Sequence, residues 1–166
     1  VVFGIAAAWC IAKYEYPSRG QQPPVRLTWY DSELKPVLAG NLKVNGKPLT
    51  EVFKSGQLFI GSEGMLVSDY NKHFLLPEDK FAGYKAPEPS IPRSPGHHRE
   101  WVEAIKSGGI AGSNFDYAGA LTEAVLLGTV AYRTGRRIEW DAANLKVTNA
   151  PEAQQQAMSG WGQGLL

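Results

Sequence analysis

The sequence predicts the α+β fold class, because its strand candidates come first and its helix candidates come later along the chain. Short apolar runs separated by glycine and proline fill the region up to residue 76, which is typical of strands joined by turns. Longer segments with apolar residues at helical spacing begin only after residue 93. An alternating α/β protein would interleave the two patterns, so α+β is favoured.

The first strand candidates are Trp9–Tyr16 and Val25–Tyr30, which flank a break rich in glycine and proline. In the second strand, Val25, Leu27 and Trp29 alternate with polar or mixed residues, so one face is expected to be packed. The following residues 31–56 show no sustained period. We interpret them as a long loop that covers a site or a partner surface.

A second hairpin is predicted where Leu58–Ile60 and Met65–Val67 flank the turn Gly61-Ser62-Glu63-Gly64. Phe74–Leu76 adds a further strand candidate. The stretch from Pro77 to Pro95 is rich in proline, which indicates an extended, exposed crossing to the helices.

Two longer helices follow this crossing. The first has Ser94 as its cap and Pro95 at its first position, and it ends near Ser107 with an apolar face of Trp101, Val102 and Ile105. The second runs from near Asp116, after a possible capping residue Ser113, to Gly135, and it is apolar enough to be mostly buried. A strand over 136–140 comes next, and a short last helix over 151–158 is predicted within a loose tail at 150–166.

Length and composition fit one domain over residues 1–166, with 43% hydrophobic and 20% charged residues. The 17 basic and 16 acidic residues are interspersed, so nucleic acid is not an expected partner. The apolar run Phe3–Ala12 is too short for a bilayer span of about 20 residues, so we expect a buried strand and no membrane partner. Because the chain opens in this run without Met, Val1 is interpreted as a cut end. A single cysteine leaves both cytoplasm and periplasm open.

Motifs of common complete enzymes are missing from the sequence. It has no G-x-G-x-x-G, H-E-x-x-H, C-x-x-C or G-x-S-x-G. Residues 40–47 resemble a phosphate loop, but they have one residue too many between the glycines, and Pro48 replaces the required Ser or Thr. We therefore expect no cofactor-binding, metal-binding or catalytic residue in this chain, and no activity of the chain alone.

Arg93, His97 and His98 are the candidate substrate-binding residues. They lie at a predicted helix N-terminus, which suits an anionic or hydroxyl-rich ligand. Other interpretations stay open: a partly buried, hydrogen-bonded His98 beside Trp101, a metal site with His73, or a small hydrolase. Arg99 and Glu103 are expected to form a solvated helix pair. The aromatic residues of the first hairpin could stack on sugars, although sheet packing or a subunit contact is the simpler interpretation: Tyr14, Tyr16, Trp29 and Tyr30.

Three segments together resemble the Gfo/Idh/MocA oxidoreductases. Gly61–Leu66 resembles their strand–turn–strand pattern G-x-x-G-x-L, and His98–Gly108 resembles their returning helix with its ending EAI-x-x-G. Ala120–Trp140 is similar to their closing helix and last strand. The wider stretch from Tyr14 to Asn149 resembles a bacterial subgroup of that family.

The resemblance implies that this chain is a C-terminal domain and that an N-terminal Rossmann domain binds NAD or NADP. It implies an open, mainly antiparallel sheet with helices packed on one face, the other face forming a dimer or tetramer contact. Substrates would be sugars, polyols or related compounds, oxidised or reduced by hydride transfer. The family's Lys-Pro motif and its catalytic Asp and His have no matching position here. The alternative is a freestanding carbohydrate-binding or assembly module without catalysis.

Overall fold

The structure is a computed structural model that describes residues 10–162, with side chains through residue 157. Its strands are β1 (Ile11–Tyr16), β2 (Val25–Tyr30), β3 (Lys43–Val44), β4 (Lys47–Pro48), β5 (Gln57–Ile60), β6 (Met65–Ser68), β7 (His73–Leu76), β8 (Trp140–Asp141) and β9 (Lys146–Val147). Its helices are α1 (Val37–Asn41), α2 (Leu49–Val52), α3 (His97–Ser107), α4 (Phe115–Thr134) and α5 (Pro151–Gly162). The predicted α+β class is confirmed.

The strands form small sheets. Within residues 10–162 these are β1–β2, β3–β4, β5–β6–β7 and β8–β9, and they do not join into one continuous open sheet. The pairings of β3–β4, β5–β6–β7 and β8–β9 are antiparallel. Four of the strands are only two residues long, because tight turns close them at once. Asn45 and Leu145 adopt positive φ values of 51° and 49° in these turns.

The loop predicted for residues 31–56 is wrong. This segment contains α1, β3, β4 and α2, and its Asn45-Gly46 turn makes a hairpin in which Val44 pairs with Lys47. Both turn residues have positive φ, as a two-residue hairpin turn of the favoured type requires. The apolar residues of this segment therefore supply core rather than a cover for a site.

The chain divides into two compact units. The first comprises residues 28–90 together with the start of β1, and the second comprises residues 12–27 and the chain from residue 91 onward. In the core of the first unit, the inner face of the β5–β6–β7 sheet packs against the segment 39–53. The sheet contributes Val67 and Leu76, and the segment contributes Ala39, Val44, Leu49 and Phe53. The hairpin predicted at Gly61–Gly64 is confirmed, with a 2.9 Å hydrogen bond from Gly61 N to Gly64 O.

The second unit is organised around α4. The cap of this helix is Asn114, whose side chain accepts a 3.2 Å hydrogen bond from Tyr117 N, rather than Ser113. The predicted glycine end is confirmed at Gly135, which has a φ of 63°. The prediction that α4 is mostly buried is wrong, since Val130 is the one buried residue on it. No helix in the described part of the chain is long and apolar enough to cross a membrane.

The last helix predicted over 151–158 is confirmed and extends to residue 162 as α5, so the loose tail predicted for 150–166 is wrong over these residues. Ala153 and Ala157 are buried against Val147 and Val130, so burial of small apolar side chains holds this helix in place. Gln154 adds a 2.6 Å hydrogen bond from Val147 N to its side-chain oxygen. Residues 163–166 and most of the predicted strand Phe3–Ala12 lie outside the described residues.

Candidate functional site

The candidate residues Arg93, His97 and His98 lie at the start of α3, in the second unit. The helix begins at His97 with Gly96 at its cap position, two residues later than the predicted cap Ser94 and first position Pro95. The reason is Gly96, whose φ of 107° turns the chain in a way that other residues rarely adopt. The Ser94 hydroxyl accepts a 3.1 Å hydrogen bond from Gly96 N and so stabilises the turn before the helix rather than the helix end itself.

Glu100 organises this region, and the sequence reasoning missed it. Its carboxylate accepts hydrogen bonds from the Ser94 hydroxyl and from Gly112 N. Glu100 therefore ties the segment that enters α3 to the segment that leaves it. An acidic residue in a first helical turn was the available signal, because the helix dipole favours negative charge there.

The electrostatics of the site centre on this carboxylate. The hydrogen bond from Ser94 and then that from Gly112 hold the pKa of Glu100 below its ordinary value. Partial burial opposes the effect, and the nearby charge of His97 adds to it. Glu100 is therefore ionised at neutral pH, and it places a negative charge near His97 at the start of α3.

The three candidate side chains are all exposed. The prediction of a partly buried His98 beside a packed Trp101 is wrong, because Trp101 itself is 63% exposed. Within the described residues, Arg93 and His98 form neither an ion pair nor a hydrogen bond with each other or with His97. They lie on one segment at the start of α3, but neither hydrogen bonds nor ion pairs among the described residues link them into a catalytic site. Their chemistry is that of hydrogen-bond donors open to a ligand from solvent.

Arg99 and Glu103 form the predicted helix pair, with 2.7 Å between Arg99 Nε and a Glu103 oxygen. The hydrogen bond to Glu103 raises the pKa of Arg99 above its ordinary value. Both side chains are exposed, so the pair is a surface feature of little energetic weight.

Hydrophobic faces of the second unit remain exposed. The predicted apolar face of α3, formed by Trp101, Val102 and Ile105, is present but uncovered within the described structure. On α4, exposed apolar residues recur at a spacing of four or seven and so share one side of the helix: Tyr117, Leu121, Val125 and Tyr132. Exposed apolar surface of this kind is typical of interaction sites.

Residues 40–47 do not fit a nucleotide phosphate. They form the end of α1, β3 and the Asn45-Gly46 turn, so they do not open a helix. Asn45 N donates to both carboxylate oxygens of Glu78, at 3.1 and 2.9 Å. A negative group already occupies the position that a phosphate would need. Among the described residues, no three His, Cys, Asp or Glu side chains are grouped so that they could hold a metal ion.

Comparison of the chain with protein-family models, with curated proteins and with solved structures found no match.

Proposed function

We propose that this chain is the substrate-side and oligomerisation domain of an NAD(P)-dependent oxidoreductase that acts on a sugar, a polyol or a related compound. The observation that carries the proposal is the hydrophobic surface left exposed on β2, α3 and α4. On β2, the face predicted to be packed is uncovered, and Trp29 is 59% exposed. A domain that is covered in its parent protein by a cofactor domain and by a second subunit accounts for this exposure.

The resemblance to the Gfo/Idh/MocA oxidoreductases gives the proposal its chemistry. The segments that carry it adopt suitable elements: Gly61–Leu66 spans the turn and the start of β6, and His98–Gly108 falls on α3. Ala120–Trp140 covers α4 and the start of β8. NAD or NADP would be bound by an N-terminal Rossmann domain, and the described residues of this chain would bind neither.

Arg93, His97 and His98 are proposed to contact the substrate. Each side chain is exposed, and the Glu100 hydrogen bonds hold the backbone on both sides of α3. Imidazole and guanidinium N–H groups donate to hydroxyl oxygens, and the helix N-terminus adds a positive potential. These properties suit a polyol or an acidic sugar derivative, with hydride transfer assigned to residues of the parent protein.

The first experiment is to read the coding sequence upstream of Val1. The proposal expects a strand, a G-x-G-x-x-G turn, a helix and then a Lys-Pro motif, all in frame. A start codon directly before Val1 would contradict it and would favour a freestanding carbohydrate-binding or assembly module. Binding of NAD(P)H by residues 1–166 alone, measured by nucleotide fluorescence, would also contradict the assignment of cofactor binding to an N-terminal domain.

The second experiment tests the site in the full-length oxidoreductase. Arg93→Ala, His97→Ala and His98→Ala are each expected to raise KM for the substrate roughly tenfold, which corresponds to about 1.4 kcal/mol of lost binding. Arg99→Ala is the matched control, because it removes the same charge from the same helix end but from a side chain paired with Glu103. If Arg93→Ala and Arg99→Ala raised KM equally, Arg93 would not be a substrate-binding residue.

A further inference from the structure

The first unit contains a cleft of about 450 Å³ on one face of the β5–β6–β7 sheet. Leu66 and Leu75, which are partners in the β6–β7 register, line it together with His73. Phe81 and Tyr84 from the segment after β7 complete its apolar wall. The volume lies within the range of small-molecule sites, which are mostly apolar with a few placed polar groups.

Two aromatic rings form a corner of this cleft. The centroids of Phe81 and Tyr84 are 6.5 Å apart and their planes are perpendicular. Tyr84 is 59% exposed, so its ring remains available to a ligand. The faces of aromatic rings carry negative potential, and the exposed Tyr84 ring can present such a face to a cation.

Glu78 adds a negative charge to the same cleft. Among the described residues, the only hydrogen bonds to its carboxylate come from Asn45 N, and no lysine or arginine forms an ion pair with it. The backbone bond fixes the carboxylate but does not neutralise it. Among the described residues, no lysine or arginine lines the cleft, so a cationic ligand is the expected partner for this charge.

The first unit pairs two aromatic rings with lysines, and one of these rings is the cleft residue Phe81. Lys80 Nζ lies 5.6 Å from the centroid of the Phe81 ring and forms an ion pair with Glu63. Lys72 Nζ lies 4.7 Å from the centroid of the Phe53 ring. In the first of these arrangements a ring and a carboxylate hold one ammonium group. Among the described residues, neither the Tyr84 ring nor the Glu78 carboxylate of the cleft is paired with a lysine or arginine.

We propose that this cleft binds a small organic cation with an alkylated ammonium group. The charged group would lie beside Glu78, and its methyl groups would contact the exposed Tyr84 ring and the apolar wall that Phe81 completes. Attraction of a quaternary ammonium to aromatic faces is electrostatic, and it strengthens when the site excludes water. A neutral apolar molecule would make the same contacts with Leu66 and Leu75 but would lack the electrostatic attraction to Glu78. This binding is independent of the oxidoreductase proposal.

The test is an NMR titration of the chain with choline and, separately, with 3,3-dimethyl-1-butanol, a neutral molecule of the same shape. Choline is expected to shift the amide resonances of residues 73–86, and the neutral alcohol is expected to bind at least tenfold more weakly. Equal binding of the two molecules, or choline shifts confined to residues outside the cleft, would overturn the proposal.

Substitutions of single residues distinguish the contribution of charge to choline binding from the contribution of shape. Glu78→Gln keeps an acceptor for Asn45 N and is expected to weaken choline binding roughly tenfold, or about 1.4 kcal/mol. Glu88→Gln is the matched control, because it makes the same charge change at an exposed residue outside the cleft lining. It should leave the affinity unchanged.

Tyr84→Leu is a second, independent variant, which retains apolar contact but removes the aromatic face. It should also weaken choline binding while leaving the neutral alcohol unaffected. If Glu78→Gln perturbs the Asn45 turn and with it the fold, Tyr84→Leu still tests whether the cleft binds choline. Unchanged choline affinity in a folded Tyr84→Leu protein would overturn the assignment of the ring.

Discussion

The indole Nε1 of Trp140 donates a 2.6 Å hydrogen bond to a carboxylate oxygen of Glu123, which joins β8 to the middle of α4. Both side chains are half-buried. A bond from a neutral donor to a carboxylate is stronger than a neutral pair, and a half-buried position shields it in part from water. The contact fixes the strand that follows α4 against that helix.

Trp140→Phe removes this donor and leaves the Glu123 carboxylate without its partner. We expect the free energy of unfolding to fall by about 1–2 kcal/mol. The measurement is urea unfolding followed by far-UV circular dichroism. Trp101→Phe is the control, because Trp101 is exposed and its substitution should change the free energy by less than about 0.5 kcal/mol. Equal losses in the two variants would mean that the Trp140 bond contributes nothing.

Ser94→Ala is expected to raise the pKa of Glu100 towards its ordinary value, because the Ser94 hydroxyl is the main cause of the lowered pKa. Since the folded pKa lies below the unfolded value of about 4.3, ionised Glu100 stabilises the fold above that pH. This contribution is lost as pH falls through the folded pKa. A ¹³C NMR titration of the Glu100 carboxyl measures the shift, and an unchanged midpoint in Ser94→Ala would rule out the hydroxyl as its cause.

Gly64→Ala is expected to destabilise the first unit. A methyl group at this position would lie 2.7 Å from Leu76 O and 2.7 Å from Phe81 Cε2. The β6–β7 backbone or the Phe81 ring must then move, at a cost of roughly 1–3 kcal/mol in the free energy of unfolding. Gly83→Ala is the matched control, since no atom of the described residues lies within 4 Å of its added methyl group. Thermal unfolding of both variants measures the difference, and a Gly83→Ala loss as large as that of Gly64→Ala would contradict the steric explanation.

Two glycines of α4 are expected to respond differently to the same substitution. Gly119→Ala adds a methyl group that has no atom of the described part of the chain within 4 Å. It should therefore stabilise the helix by about 1 kcal/mol through alanine's higher helix propensity. Gly128→Ala places its methyl group against the Tyr14 hydroxyl and must displace that ring. It should therefore be less stable than Gly119→Ala in chemical unfolding. Two equally stable variants would show that Tyr14 moves freely.

Self-association is the expected outcome of the exposed hydrophobic surface. If the uncovered face of β2 forms the subunit contact, Trp29→Ser should shift the mass measured by light scattering from a dimer or tetramer towards a monomer. Tyr70→Ser is the control, because Tyr70 is equally aromatic and fully exposed but lies in the loop between β6 and β7. A monomeric wild-type chain at high concentration would contradict the contact, and equal dissociation by both variants would indicate a general effect of polarity.

The hairpin at Gly61–Gly64 and the C-terminal glycine of α4 were predictable because their causes are local. A turn with glycine at both ends between two apolar runs leaves the chain few conformations, and a positive φ at Gly135 ends a helix regardless of its neighbours. The start of α3 was predicted two residues too early. The conformation of Gly96 overrode the capping tendency of Ser94, and single-residue propensities do not resolve that competition.

The candidate site was likewise predictable only where its causes are local. The sequence placed Arg93, His97 and His98 at a helix start, and the structure agrees, but it could not reveal that Glu100 joins Ser94 to Gly112. It also gave no indication of the cleft beside Phe81 and Tyr84, because that cleft combines β6 and β7 with the segment that follows them.

By itself, the sequence determined the α+β class, the two long helices and the turn residues, since periodicity and glycine or proline chemistry act over a few residues. Only the tertiary structure decided which apolar faces are covered. The apolar patterns of α3 and α4 required a partner surface, and the described fold buries Val130 while leaving Trp101 and Val125 exposed. Burial depends on contacts between distant segments, so the same hydrophobic pattern can serve as core or as interface.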